Sequence, residues 1–221
     1  MKIEEELFKK YRVNFNKLTN YGFGLVDNLY YLSKPIFNGD FEVGISISQE
    51  GILEAKIFDT AFGEEYLNHN ISSINGEFVN QVRQEYEELL IEIRNNCFEK
   101  LPFIFDQTNR IVKMIEKKYH DLPEFVFKED DNDGIFRNQK SKKWYGIIMK
   151  VNGEKLGLDN LEIEVINVKL QQELITSLLS KKGYYKAYHM NKKYWISIVL
   201  DDSLTDQEIM DCIEMSHSFT C

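Results

Sequence analysis

Phe41-Glu42-Val43-Gly44-Ile45-Ser46-Ile47-Ser48 alternates apolar and polar or small side chains, the period of a strand with one buried and one wet face. Reading outward, residues 30–37 and 52–59 have strand composition on either side. Asn38-Gly39 supplies the positive φ angles of a tight hairpin turn before the central strand, and Gln49-Glu50-Gly51 closes the next hairpin. An antiparallel three-stranded meander is expected. Beyond it, Phe78, Val82, Tyr86, Leu89 and Ile93 recur at helical spacing, with Val79, Leu90 and Cys97 widening the stripe and Asn75 available as N-cap. Glu85, Glu87, Glu88 and Glu92 fall mostly on the wet side, so this helix is predicted to lie across the meander. Ahead of the first strand, residues 4–11 read as helix, and Gly22 and Gly24 break an irregular stretch.

A second core begins after Leu101-Pro102, placing the boundary at 1–105 and 106–221. Asp106 or Thr108 can cap a helix carrying Ile111, Ile115 and Tyr119 on one face, which Pro123 ends. Strands are predicted at 135–137, 144–151, 162–170 and 194–200. In the second of these, Tyr145, Ile147, Met149 and Val151 are expected to share a face. A helix over 171–182 stops at Gly183, and Thr205-x-x-Glu208 is a capping box opening the last helix. The fold class is therefore α+β, with two small domains that each pack a mostly antiparallel sheet with helices.

The 221 residues are 43% apolar and 29% charged, the balance of a globular chain, and no run reaches the roughly 20 apolar residues of a membrane span. The acidic start, Met-Lys-Ile-Glu-Glu-Glu, is unlike a secretory signal, and three scattered cysteines (Cys97, Cys212, Cys221) argue for a reducing cytoplasm. Charge is uneven. Residues 1–106 hold 10 basic and 18 acidic side chains, whereas residues 134–193 hold 12 basic and 5 acidic. A local cationic face of this kind can attract nucleic acid within an acidic protein. Lysines that solubilise loop tips are the plainer reading of the same pattern.

Three segments stand together in the basic half: Ile135-Phe136-Arg137 followed by Lys143-Trp144-Tyr145; Ile166-Asn167-Val168-Lys169; and Ala187-Tyr188-His189-Met190-Asn191-Lys192-Lys193-Tyr194-Trp195-Ile196-Ser197. In order and spacing they resemble the MmcQ/YjbR family, whose hallmark is a Tyr-x-Met-Asn-Lys-x-x-Trp string. The resemblance spans about residues 108–218, and the first half looks like a shorter domain that precedes it in YyaQ-like members. It implies a second domain shaped like CyaY/frataxin and like double-wing DNA-binding domains. It also implies a DNA-binding role, with no enzyme activity and no cofactor. Asn138 stands where a His is usual, and Tyr145-Gly146 replaces the commoner Phe-Ala.

Strand–turn–strand wings present lysines to phosphates and an amide or aromatic to a groove. The candidate contacts are Arg137, Lys140, Lys142, Lys143 and Trp144 around one loop, and Lys186, His189, Asn191, Lys192 and Lys193 around another. In this reading Asn191 reads adenine and Trp144 stacks on an unpaired base. Each has a plain structural counterpart: the tryptophans as core or rim packing, Asn191 as a turn residue, and His189 bonded to a carbonyl.

Other chemistries find little support. Glu129-Asp130-Asp131-Asn132-Asp133-Gly134 resembles a calcium-binding loop, but Lys140 occupies the twelfth position, where a bidentate Glu belongs. No metal is expected; a cation held by surface carboxylates, as the frataxin-like shape suggests, is a distant third reading. No P-loop, nucleophile elbow, His-Glu-x-x-His or Cys-x-x-Cys occurs, and the histidines (His69, His120, His189, His217) lie 28 or more residues apart. The rival is contact with another protein or with itself, in which Glu85, Glu87, Glu88 and Glu92 of the acidic helix oppose the lysine loops within a chain or across a dimer.

Overall fold

The computed structural model describes residues 2–71, 73–126 and 132–221. The chain divides into two compact units, Met1–Leu101 and Pro102–Cys221.

In the first unit, α1 (Ile3–Phe8), β1 (Tyr11–Val13) and α2 (Phe15–Tyr21) precede a four-stranded antiparallel sheet. Its strands, in spatial order, are β2 (Gly24–Val26), β3 (Leu29–Ile36), β4 (Phe41–Ile47) and β5 (Leu53–Asp59). Then come α3 (Glu77–Cys97) and β6 (Phe98–Lys100), which pairs back onto β1. The alternation in β4 is realised: Phe41, Val43, Ile45 and Ile47 are buried in one core with Val82, Tyr86, Leu90 and Ile93 of α3. Burying each such side chain contributes about 1.5–3 kcal/mol.

Three local expectations change. Residues 11–26 are not irregular, because the Asn14 side chain accepts from the Asn16 N–H to cap α2, and Gly22 closes that helix at a φ of +122°. The turn at Asn38-Gly39 is wider than a two-residue hairpin. Ile36 pairs with Phe41, and Phe37, Asn38 and Gly39 all adopt positive φ, while Glu85 accepts the Phe37 N–H. Gly76 rather than Asn75 precedes α3, and Leu90 rather than Leu89 is fully buried.

The second unit opens with α4 (Asp106–Tyr119), whose N-cap is Phe105, and continues through β7 (Gly134–Arg137), β8 (Trp144–Asn152) and β9 (Glu162–Lys169). After α5 (Gln172–Leu178) come β10 (Tyr184–Lys186), β11 (Trp195–Val199) and α6 (Asp206–Ser218). The sheet is antiparallel in the order β10-β11-β9-β8-β7. One face packs Phe136, Tyr145, Ile148, Ile166, Val168, Ile196 and Ile198 against residues of α4, α5 and α6. On the other, Ile135, Ile147, Met149, Val151, Val165 and Val199 are buried, with Trp144, Leu156, Tyr185 and Tyr188 packed around them. The buried Glu164 carboxylate accepts the Ile104 and Phe105 N–H groups at 2.8 and 3.1 Å, fixing the segment that enters α4.

Tyr145 does not share a face with Ile147, Met149 and Val151. Phe136 pairs with Gly146 but Arg137 with Trp144, so Tyr145 is the extra residue of a β-bulge and turns to the helix-covered face. Its hydroxyl donates to Asp121 at 2.9 Å. His120, with a φ of +59°, terminates α4 before Pro123 is reached, and α5 ends at Leu178, short of the expected Gly183. The Thr205–Glu208 capping box forms as its spacing predicts.

Candidate nucleic-acid interface

Strand pairing places both lysine loops at one end of the five-stranded sheet. Arg137 pairs with Trp144, Gly146 with Val168, Lys169 with Trp195 and Ile196 with Lys186. The β7–β8 and β10–β11 connections therefore leave the same edge, at opposite sides of the sheet. Three strand spacings separate the hairpin centres, about 14 Å, close to the ~12 Å width of a DNA major groove.

Each loop is built by an asparagine. Asn138 is buried, and its Oδ1 accepts the N–H groups of Lys140 and Ser141 at 3.0 and 3.1 Å. Its own N–H donates to Lys143 O, and Lys142 N–H donates to Asn138 O. Lys140, Lys142 and Lys143 are left exposed on a fixed turn. In the second loop, Asn191 Oδ1 accepts the Lys193 N–H at 3.0 Å, and its carbonyl accepts from Tyr194 and Trp195. Asn191, itself exposed, is thus a turn residue.

Beneath this loop lies a closed set of hydrogen bonds on buried polar groups. Ser197 Oγ donates to Asn167 Oδ1, Asn167 Nδ2 donates to Tyr188 O at 2.8 Å, and Tyr188 N–H donates to Ser197 Oγ at 3.0 Å. Asn167 and Ser197 are each fully buried. Buried polar groups in an apolar sheet are tolerated only when satisfied in this way. The result is a loop whose backbone is pinned while Lys186, His189, Lys192 and Lys193 stay exposed.

Among the described residues, Lys140, Lys142, Lys143, Lys186, Lys192 and Lys193 enter no ion pair; Lys193 does sit 5.2 Å over the Tyr194 ring. Two of the expected contacts are instead engaged inside the protein. The Arg137 guanidinium pairs with Glu124 at 2.8 Å, donates to Lys142 O and lies 5.3 Å from the Trp144 ring. Trp144 is half-buried beneath it against the apolar sheet face, so it is not a free stacking platform. Trp195 is buried, with Lys169 5.4 Å from its ring. His189, at a φ of +54°, makes no hydrogen bond among the described residues and rests against Tyr188.

Behind the β7–β8 loop, His217 stacks on Tyr119 at 4.0 Å and meets Tyr145 edge-on at 4.8 Å, with Asn138 Nδ2 3.4 Å from its Nε2. Burial lowers the affinity of this ring for a proton and pushes the Tyr119 hydroxyl up to about 12. The cluster is a packed support for Asn138. Sequence reasoning gave Asn167 and Ser197 no role; a polar residue in each of two apolar strands was the available signal, but their meeting depends on register.

Among the described residues, no three His, Cys, Asp or Glu side chains gather closely enough to hold a metal. The first half of the acidic run, residues 129–131, lies outside the described residues. No helix of the described residues is long and apolar enough to cross a membrane.

A five-stranded antiparallel sheet with helices on one face and cationic hairpins at one end defines a small α+β domain. The YjbR family model matches residues 117–219, within this unit. The chain is 39% identical over 111 residues to the uncharacterized protein YyaQ of Bacillus subtilis, a match covering 50% of this chain and 94% of that one. A crystal structure of a Pseudomonas syringae protein is 35% identical, with a TM-score of 0.50, covering 51% of this chain and 97% of its own. The chain belongs to the YjbR (MmcQ/YjbR) family, with an additional N-terminal region.

Proposed function

We propose that the second unit binds nucleic acid, without catalysis, through the cationic end of its sheet. The observation that carries this reading is the placement of two pinned loops at one sheet edge, bearing six exposed lysines that enter no ion pair among the described residues. Like charges gathered on one surface repel one another, and a phosphate backbone relieves that repulsion while releasing its own counterions. The arrangement is in keeping with the double-wing and frataxin-like shape that the family resemblance implies, each wing being a hairpin. Asn138 and Asn191 act by shaping the wings, and the lysines act by contact. Lysines without base-reading partners contact phosphates, so the expected binding depends little on sequence.

Three of the four acids on the first unit's long helix that could oppose the lysines are hydrogen-bonded within that unit. Glu85 accepts the Phe37 N–H, Glu88 accepts from Gln84, and Glu92 accepts the Tyr21 hydroxyl.

The test is fluorescence anisotropy of a labelled duplex with the full chain and two charge-reversed pairs, Lys142→Glu with Lys143→Glu and Lys192→Glu with Lys193→Glu. Each pair is expected to weaken binding about equally for unrelated sequences. Binding by the wild type that neither pair alters would reject this surface, and absence of wild-type binding would reject the function.

A further inference from the structure

Beside the cationic sheet end, along the edge strand β10, lies a cavity of about 690 Å³. Lys155, Lys186 and Lys192 line it together with Tyr184, Tyr185, Tyr188 and His189, and no carboxylate does. None of the three lysines enters an ion pair among the described residues. The walls are fixed from two directions. The Asn167–Ser197–Tyr188 bonds hold the loop side, and a 3-10 turn at Gly153–Leu156 holds Lys155 opposite, with Leu156 packed on the sheet face. Tyr185 and Tyr188 are half-buried, so their rings are held in place, and neither hydroxyl makes a hydrogen bond among the described residues.

We infer that this cavity is a binding site for a nucleoside phosphate. Three lysines lining one cavity, with no ion-pair partner among the described residues, call for a compact polyanion, which a phosphate monoester supplies. Tyrosine faces beside them suit a flat base, on which stacking is tolerant of base identity. The volume falls within the range of pockets that enclose small organic ligands. Lys186 and Lys192 belong both to this cavity and to the lysine cluster at the sheet end, so a single strand leaving that surface would deliver one nucleotide here. In that form the inference rests on the nucleic-acid reading above, whereas capture of a free nucleotide does not.

Calorimetry on the full chain with adenosine 5′-monophosphate, adenosine and inorganic phosphate tests it. The monophosphate is expected to bind at least about tenfold more tightly than either fragment, and Lys155→Glu to weaken it at least about tenfold. Lys155 is exposed in a surface turn outside both wing loops, so this substitution should leave the fold intact and weaken blunt-duplex binding far less than Lys142→Glu with Lys143→Glu, a pair that should in turn leave monophosphate binding unchanged. No binding of the monophosphate, equal binding of inorganic phosphate, or insensitivity to Lys155→Glu overturns the cavity and leaves the duplex surface standing. Retained monophosphate binding without duplex binding overturns the surface and leaves the cavity standing as a site for a free nucleotide. Competition by an unlabelled deoxyadenosine octamer for the monophosphate supports delivery by a strand, and absence of competition overturns that part.

Discussion

Ser197 and Asn167 are register partners on β11 and β9, and the serine hydroxyl donates to the asparagine carbonyl oxygen at 2.5 Å. Through Tyr188 they tie the hallmark loop to the sheet beneath it. Asn167→Leu strips partners from the Tyr188 carbonyl and the Ser197 hydroxyl in a buried setting. The expected cost is about 1–3 kcal/mol in urea denaturation. Faster amide exchange at Tyr188 should accompany it, and an unchanged exchange rate would refute the role given to this contact.

Tyr145 illustrates what a bulge does. Its hydroxyl donates to the buried Asp121, and Tyr145→Phe removes a hydrogen bond to that carboxyl group. The loss should be about 1.5–3 kcal/mol. Tyr119→Phe is the control: its ring packs on His217, but its hydroxyl makes no hydrogen bond among the described residues. That variant should stay within about 0.5 kcal/mol of the wild type.

Acid should weaken the second unit by way of His217. Burial makes the folded ring hold its proton less tightly than the unfolded chain does, although Asp121 opposes the shift. Below about pH 6.5, the ordinary histidine value, the unfolded state therefore binds more protons, and stability falls as pH drops. Above that pH this group contributes no slope. Both tryptophans, Trp144 and Trp195, lie in the second unit, so their fluorescence follows its unfolding. His217→Gln should flatten the decline below pH 6.5; an unaltered decline would assign it to other groups.

Gly153 lies where no side chain fits. A Cβ there would stand 2.5 Å from the Asp159 carbonyl oxygen, a backbone atom that cannot swing aside. Gly153→Ala should cost about 1–3 kcal/mol and displace the turn carrying Lys155. Thermal unfolding followed by tryptophan fluorescence is the check.

The sequence made some of this legible and hid the rest for physical reasons. The alternation in β4 and the Thr205–Glu208 box are local signals, and both appear as read. Strands β1, β2, β6 and β10 have three residues each, too short for a period to emerge. The bulge at Tyr145 shifts the alternation by one residue, which no period reveals in advance. Lysines in two loops were visible as a cluster in the chain, but their shared sheet edge follows from the β10-β11-β9-β8-β7 order. Lys155 joined neither cluster in sequence and reaches the cavity only through the turn after β8.

The salt dependence of duplex binding by the full chain tests the central claim most directly. If the sheet-end lysines neutralise phosphates, the logarithm of the association constant should fall linearly with the logarithm of salt, by about 0.9 per phosphate contacted. Combining Lys142→Glu, Lys143→Glu, Lys192→Glu and Lys193→Glu should flatten that line by about three to four units of slope. A wild-type line that is already flat, or one that the four reversals leave unchanged, would contradict the account.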